Sequence, residues 1–277
     1  MNIETELLWE TARETAVSAG KLILEKWSQP RQISEKKPRD FVTDADLAAQ
    51  DCITTIIQQK FPDHGFLTEE KDDSLSKKGE IIWIIDPVDG TTNYSRQHPI
   101  YCVSVAAARP MPNGDFELLA GAVFDPAQNE LFHAAKGQGA WLNKQQIYVK
   151  PLNDLSYAII GMDWSYNKRL QASIRDFVPH FGRKIHGIRS LGSATLGMVW
   201  VAAGRYDGYI NLNLRPWDVA AAWLLIEEAG GKISNSFGDS AVWDVEGMDV
   251  FGSNGRIHTE FLDLIAPHLS KKREENN

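Results

Sequence analysis

The sequence predicts a mixed fold in two parts, an α+β first half followed by an α/β second half. Three observations predict it. Two amphipathic helical stretches open the chain, strand-like segments follow, and from about residue 150 strand and helix signals alternate. At 277 residues the chain is long enough for two domains and a substantial buried core, and the change of pattern divides it at 1–150 and 151–277.

Residues 4–27 carry Leu8, Ala12, Ala16, Ala19, Ile23 and Trp27 at spacings of three and four, the stripe of a helix packed on one side. The stretch 29–40 is polar with two prolines and reads as an exposed loop. A second helix starts near Thr43, where Thr-x-x-Asp resembles a capping box, and Pro62 ends it. Leu47, Ile53, Ile56, Ile57 and Phe61 give that helix its apolar face. Ile81 to Ile85 is continuously apolar between polar residues, which suits a strand buried on both faces. Tyr101–Ala108, Leu118–Phe124 and Glu130–Ala135 read as further strands. In the second half, strands are expected at Ala158–Gly161, Ile185–Ile188, Asp207–Ile210 and Val250–Gly252. Helices are expected at Leu170–Val178, Ser193–Ala203, Trp217–Ala229 and Arg256–Leu269.

Composition excludes several function classes. With 43 % apolar and 24 % charged residues the chain is neither disordered nor fibrous. Its 29 Lys+Arg against 37 Asp+Glu leave a net charge of −8, which argues against a nucleic-acid binder held by a broad basic face. Cys52 and Cys102 form neither a disulfide framework nor a zinc knuckle. The acidic, polar N-terminus is unlike a signal peptide, and apolar runs such as Val219–Ile226 fall far short of the ~20 residues that span a bilayer. A cytoplasmic protein with no membrane partner is the expectation.

One segment carries chemistry: Ile-Ile-Trp-Ile-Ile-Asp-Pro-Val-Asp-Gly-Thr-Thr-Asn-Tyr, residues 81–94. Asp86 and Asp89 leave a buried strand across a proline turn, so both carboxylates can converge on one point. Two anions held that close repel unless a cation lies between them, and oxygen ligands favour Mg²⁺ or a similar hard ion. Gly90 permits close backbone approach, and the amides after it can cradle an anion. Read in isolation, Asp86 and Asp89 are equally turn and cap residues; the Gly-Thr-Thr-Asn continuation is what favours chemistry. Three other acidic stretches could complete a metal centre: Thr68-Glu69-Glu70, Asp218 at the start of an apolar helix, and Asp40 to Asp46. Each also has a plain reading as helix-terminal or solvated charge.

Taken in order and spacing, Asp40-Phe-Val-Thr-x-x-Asp46, Thr68-Glu-Glu70, Trp83 to Asn93 and Trp217-Asp-Val-Ala-Ala-Ala with Glu227-Glu-Ala-Gly-Gly231 resemble the motifs of the inositol monophosphatase family over roughly residues 5–265. The resemblance implies a layered αβαβα fold, a homodimer, and Mg²⁺-dependent, lithium-sensitive hydrolysis of a small-molecule phosphate monoester. Glu69, Asp86 and the Val88 carbonyl would hold one Mg²⁺, and Asp86, Asp89 and Asp218 the second. Glu69 would assist a weaker third, giving two to three ions per site. Thr91 and Asp46 resemble the dyad that activates the attacking water, with Glu69 close by, and the Gly90 and Thr91 amides resemble phosphate donors.

Substrate choice must lie outside these shared motifs. Arg189 to Ala194, including Gly192, Ser193 and Ala194, resembles the stretch that binds substrate hydroxyls. Where inositol-specific members place a Glu, seven residues before the metal Asp, this chain has Asn211, and an amide lacks a carboxylate's charge-assisted strength. Asp89 and Asp218 would also face the substrate. Inositol 1-phosphate, fructose 1,6-bisphosphate, histidinol phosphate and 3′-phosphoadenosine 5′-phosphate all remain candidates. In Met162-Asp163-Trp164-Ser165, the bulky Trp164 either shapes the pocket or lies on the surface.

Two rivals stand beside this reading. A phosphatase working through a phospho-aspartate would use Asp-x-Asp, whereas Pro87 and Val88 separate the two carboxylates here. A regulatory binding protein with an incidental phosphatase site is the reading from a different class. No third glycine follows Gly137-Gln-Gly139, the seven histidines show no ligand spacing, and the nine tryptophans are dispersed.

Overall fold

A computed structural model describes residues 3–29, 33–37, 40–72, 75, 78–164, 175, 178–181, 184–240 and 243–269. Helix α1 (Ile3–Lys26) buries the expected stripe of Leu8, Ala12, Ala16, Ala19 and Ile23 completely. Residues 33–37 and Asp40 depart from the expected loop. Strand β1 (Ile33–Lys37) pairs antiparallel with β2 (Asp40–Thr43) as a hairpin. Composition argued for a loop there because ladder hydrogen bonds use only backbone groups, which polarity does not report.

Helix α2 (Asp44–Lys60) begins at a true capping box: Thr43 caps it, and the Asp46 carboxylate accepts from the Thr43 N–H at 2.9 Å. It buries Ala45, Ala49, Ile53 and Ile57, while Leu47, expected on that face, is 54 % exposed. Leu47 stands about one residue off the buried stripe, so the 3.6-residue period turns it outward.

Strands β3 (Gly65–Thr68), β4 (Ile82–Asp89), β5 (Cys102–Pro110), β6 (Phe116–Asp125), β7 (Glu130–Ala135), β8 (Ala140–Leu142) and β9 (Gln145–Ile147) form one seven-stranded sheet in that order. Only β3 and β4 pair in parallel. Short helix α3 (Thr91–Ser95) follows β4 directly. Strand β4 is buried along its whole length and splits its side chains: Trp83 and Ile85 pack toward α1 and α2, Ile82 and Ile84 toward the opposite layer.

The second half supplies β10 (Ile159–Met162), β11 (Gly187–Arg189), α4 (Ala194–Ala202), β12 (Gly208–Leu214), α5 (Pro216–Glu228), β13 (Lys232–Ser234), β14 (Met248–Ser253) and α6 (His258–Leu269). Its five strands lie in the order β11-β10-β12-β14-β13. Of the expected helix Leu170–Val178, only Arg175 and Val178 are among the described residues, and residues 270–277 also lie outside them.

Packing orders these elements as five layers. Helices α1 and α2 cover one face of the large sheet, and α4 and α5 fill the space between the sheets. On the far face of the small sheet α6 packs Phe261 against Phe251, with ring centroids 4.5 Å apart. The layered αβαβα arrangement is therefore present. No helix among the described residues is long and apolar enough to cross a membrane.

Candidate active site

The site forms where the large sheet's β4 runs out beneath the N-terminus of α4. The ladder to β5 pairs Asp86 with Ser104 and then Asp89 with Cys102, so β4 carries one more residue than its partner. Pro87 has no N–H to give to a ladder, and the resulting bulge lets two carboxylates leave one strand end. The Val88 N–H folds back onto Asp86 Oδ1 at 3.0 Å. Gly90 then takes φ +92°, and a Cβ there would stand 2.9 Å from the Ile100 carbonyl, so the turn into α3 requires glycine.

Four acidic side chains act on one another here. Asp86 is 1 % exposed, and burial holds its carboxyl well above the ordinary value. The charges of Glu69, Asp89 and Asp218 push it further in that direction, and its carboxyl is hydrogen-bonded to that of Glu69. Burial raises Asp218 as well, against a 2.7 Å hydrogen bond from the Arg215 N–H that favours its ionised form. Asp89 is raised by burial to about 6, although it accepts from Ser193 Oγ and from the Thr195 N–H at 2.9 Å.

Among the described residues, no three His, Cys, Asp or Glu side chains stand in a ready-made metal cage. The donor set nevertheless fits a hard divalent cation. It is made of oxygens alone, and its members are destabilised by one another's charge, which a cation between them would offset.

Beside the cluster, Thr91 Oγ1 donates toward Asp46 Oδ1 at 3.0 Å and the Val88 carbonyl at 2.9 Å. The other oxygen of Asp46 accepts from Thr43 Oγ1 at 2.5 Å. Burial lifts Asp46 to about 6 despite these hydrogen bonds. The buried Glu70 backbone carbonyl accepts from Gln50 Nε2 at 3.0 Å, which ties the loop after β3 to α2.

The opposite wall is the start of α4. Ser193 caps that helix and reaches Asp89, and Thr195 Oγ1 donates to the Asp218 carbonyl at 2.8 Å. Asn93 Nδ2 bridges the Ile100 and Leu191 carbonyls, each at 2.8 Å, and so fastens α3 to the segment before α4. Gly192 donates to Asp163 Oδ1 at 2.7 Å, and Asn211 donates to the Tyr209 hydroxyl at 3.1 Å.

The expected residues Asp46, Glu69, Asp86, Val88, Asp89, Gly90, Thr91, Gly192, Ser193, Ala194 and Asp218 thus occupy one neighbourhood, and Asn211 joins it through Tyr209 and Asp163. Trp164 is 58 % exposed. Sequence reading passed over Thr195, Asn93 as a strap, and the pair Asp163 and Tyr209. Only Asp163 carried a hint, through its unusual Trp neighbour; the others serve by position rather than by type.

The inositol monophosphatase family model matches residues 4–274. An inositol-1-monophosphatase of Synechocystis is 34 % identical over 262 residues, covering 93 % of this chain and 88 % of the relative. A protein of Escherichia coli named Nus factor SuhB is 36 % identical over 230 residues, with 82 % and 84 % covered. Among solved structures, an IMPase of Thermotoga maritima superposes with a TM-score of 0.83 at 30 % identity, covering 95 % of this chain and 98 % of that one.

Proposed function

The chain belongs to the inositol monophosphatase family, and from that premise we propose that it hydrolyses the phosphate monoester of a small polyol or sugar by direct attack of water. The observation that carries this reading is the convergence of Glu69, Asp86, Asp89 and Asp218 beside the Thr91–Asp46 pair.

Glu69, Asp86, Asp89, Asp218 and the Val88 carbonyl would hold two or three Mg²⁺. Bound there, Mg²⁺ would neutralise phosphate charge and make a water more acidic. The chain's own groups do the positioning. Thr91 Oγ1 faces two acceptors, so its proton points to them and its lone pairs are left to accept from the attacking water. Asp46 holds that hydroxyl while Thr43 holds Asp46. Ser193 and the Thr195 amide fix Asp89, so the reacting groups start in place and need little reorganisation. The Gly90 and Thr91 amides would receive phosphate oxygens, and Gly192, Ser193, Ala194 and Asn211 would line the alcohol side. A homodimer in the cytoplasm belongs to the same reading.

Phosphate release from inositol 1-phosphate, fructose 1,6-bisphosphate, histidinol phosphate and 3′-phosphoadenosine 5′-phosphate, with and without Mg²⁺, EDTA and Li⁺, tests it. Mg²⁺-dependent release from at least one is expected. The Escherichia coli relative's name, Nus factor, favours a second reading as a regulatory binding protein. Protein that binds Mg²⁺ but releases no phosphate from the panel would support that reading instead.

A further inference from the structure

One carboxylate outside the acidic cluster gathers the alcohol side of the site. Asp163 follows β10, is 8 % exposed, and accepts three hydrogen bonds: from Ser190 Oγ at 2.8 Å, from the Gly192 N–H at 2.7 Å and from the Tyr209 hydroxyl at 2.8 Å. The first two hold the segment that carries Ser193 to Asp89. The third fixes a direction.

Tyr209 has one hydroxyl proton, and it is donated in the hydrogen bond to Asp163. The Tyr209 oxygen can then only accept from Asn211, so the Asn211 group facing it must be the NH₂, and the amide carbonyl oxygen points the other way. Burial and the Asp163 charge hold the Tyr209 hydroxyl far above its ordinary value, so the proton stays. The ring itself is confined. A Cβ on Gly197 of α4 would come 2.3 Å from it, and one on Gly161 of β10 2.7 Å, so these two glycines make the slot it fills. An ionised Glu at 211 would offer only acceptors, whereas Asn211 keeps one acceptor and a defined face.

We propose that Asp163 is a positioning residue for substrate recognition: through Tyr209 it turns the Asn211 carbonyl oxygen toward the substrate alcohol, while through Gly192 it holds the wall on that same side. The proposal rests on the reading of Asn211 as a substrate contact. It specifies the ligand chemistry at that position, a hydroxyl that donates.

The test is Tyr209→Phe in the full chain with Mg²⁺ supplied. Hydrolysis of inositol 1-phosphate and of p-nitrophenyl phosphate is compared with the parent, and the Asn211 side-chain amide is followed by heteronuclear NMR, its signals assigned by their loss in Asn211→Asp. KM for inositol 1-phosphate is expected to rise about tenfold more than that for p-nitrophenyl phosphate, which offers Asn211 no hydroxyl. The amide signals are expected to shift. Asp163→Asn, whose amide cannot accept all three hydrogen bonds, should show the same split and shift. Equal KM changes for both substrates, or unmoved Asn211 signals, overturn the proposal. A parent that hydrolyses neither compound defeats the phosphatase reading instead, and the amide signals then decide the orientation alone.

Discussion

Thr91 Oγ1 lies 3.0 Å from Asp46 Oδ1, joining two residues 45 positions apart, and Asp46 also caps the helix that follows Thr43. One carboxylate therefore serves both a helix start and the hydroxyl proposed to position the attacking water. Thr91→Val, which keeps the side-chain shape, is expected to lower kcat by about 10²–10⁴ with KM little changed, the range typical of a lost proton-transfer partner. Thr91→Ser should retain most of the rate. Asp46→Asn should lose rate with stability little changed, because the amide oxygen still accepts from the Thr43 N–H and a buried charge is removed. Stopped-time phosphate assays and urea unfolding read both; an unaltered kcat in Thr91→Val dismisses the pair.

Asp86 is buried among three like charges. Asp86→Asn is expected to raise the thermal midpoint measured in EDTA, because it removes repulsion that no cation relieves there. The same variant should lose the stabilisation that Mg²⁺ gives the parent. Asp89→Asn and Asp218→Asn should abolish turnover while the chain stays folded. Full activity in either variant, or undiminished parent activity in EDTA, refutes the metal ligands.

His258 accepts or donates at both ring nitrogens, to Ser234 Oγ at 2.9 Å and Ser253 Oγ at 2.8 Å, and burial lowers it to about 4, with Lys232 acting in the same direction. Its folded value lies below the unfolded one of about 6.5, so the unfolded chain binds the extra proton between the two. Stability from this group is full above about pH 6.5 and is lost as pH falls toward 4. Asp46 and Asp89, raised to about 6, act with the opposite sign over a similar span. The comparison that isolates the histidine is parent against His258→Gln: the variant's unfolding free energy should fall less between pH 6.5 and pH 4. Parallel pH curves would count against a neutral, buried His258.

Gly197 is expected to be intolerant although it lies inside α4, where alanine has the better helix propensity. Its Cβ would stand 2.3 Å and 2.5 Å from Tyr209 ring carbons. Gly197→Ala should cost about 1–3 kcal/mol by overpacking, seen as a lower urea midpoint at unchanged m-value. A stabilised variant would mean the ring has room to move.

Asn211→Glu is expected to shift preference toward inositol 1-phosphate over fructose 1,6-bisphosphate, at some loss of stability, because the new carboxylate meets a Tyr209 oxygen whose O–H already donates to Asp163. An unchanged substrate ranking removes residue 211 from substrate selection.

Much of this arrangement was legible in the sequence because short-range physics writes it there. The Thr43 to Asp46 cap, the two-faced burial of Ile82 to Ile85 and the Asp86 to Thr91 turn are all local, set by spacing, hydrophobic run and proline or glycine geometry. The hairpin of β1 and β2 was not legible, since paired backbone leaves no mark on a polar stretch. Strands β8, β9 and β13 are three residues each, too short for a period to register. Within the candidate site, the residues expected from sequence are those whose chemistry is distinctive. Asp163, Tyr209 and Thr195 act by holding other residues, and that depends on contacts between segments 23 to 106 positions apart.

The Asn93 strap has a consequence for the nascent chain. Asn93 finds the Leu191 carbonyl 98 residues later in sequence. At ribosomal rates of about 5–20 residues per second, that partner is made roughly 5–20 s after Asn93 itself. Through that interval the large sheet can assemble, yet its acidic strand end has no facing wall and Asp89 has neither Ser193 nor Thr195. Whatever guards a half-made chain must therefore shield an uncovered cluster of negative charge, and the proposed site is complete only with the last third of synthesis.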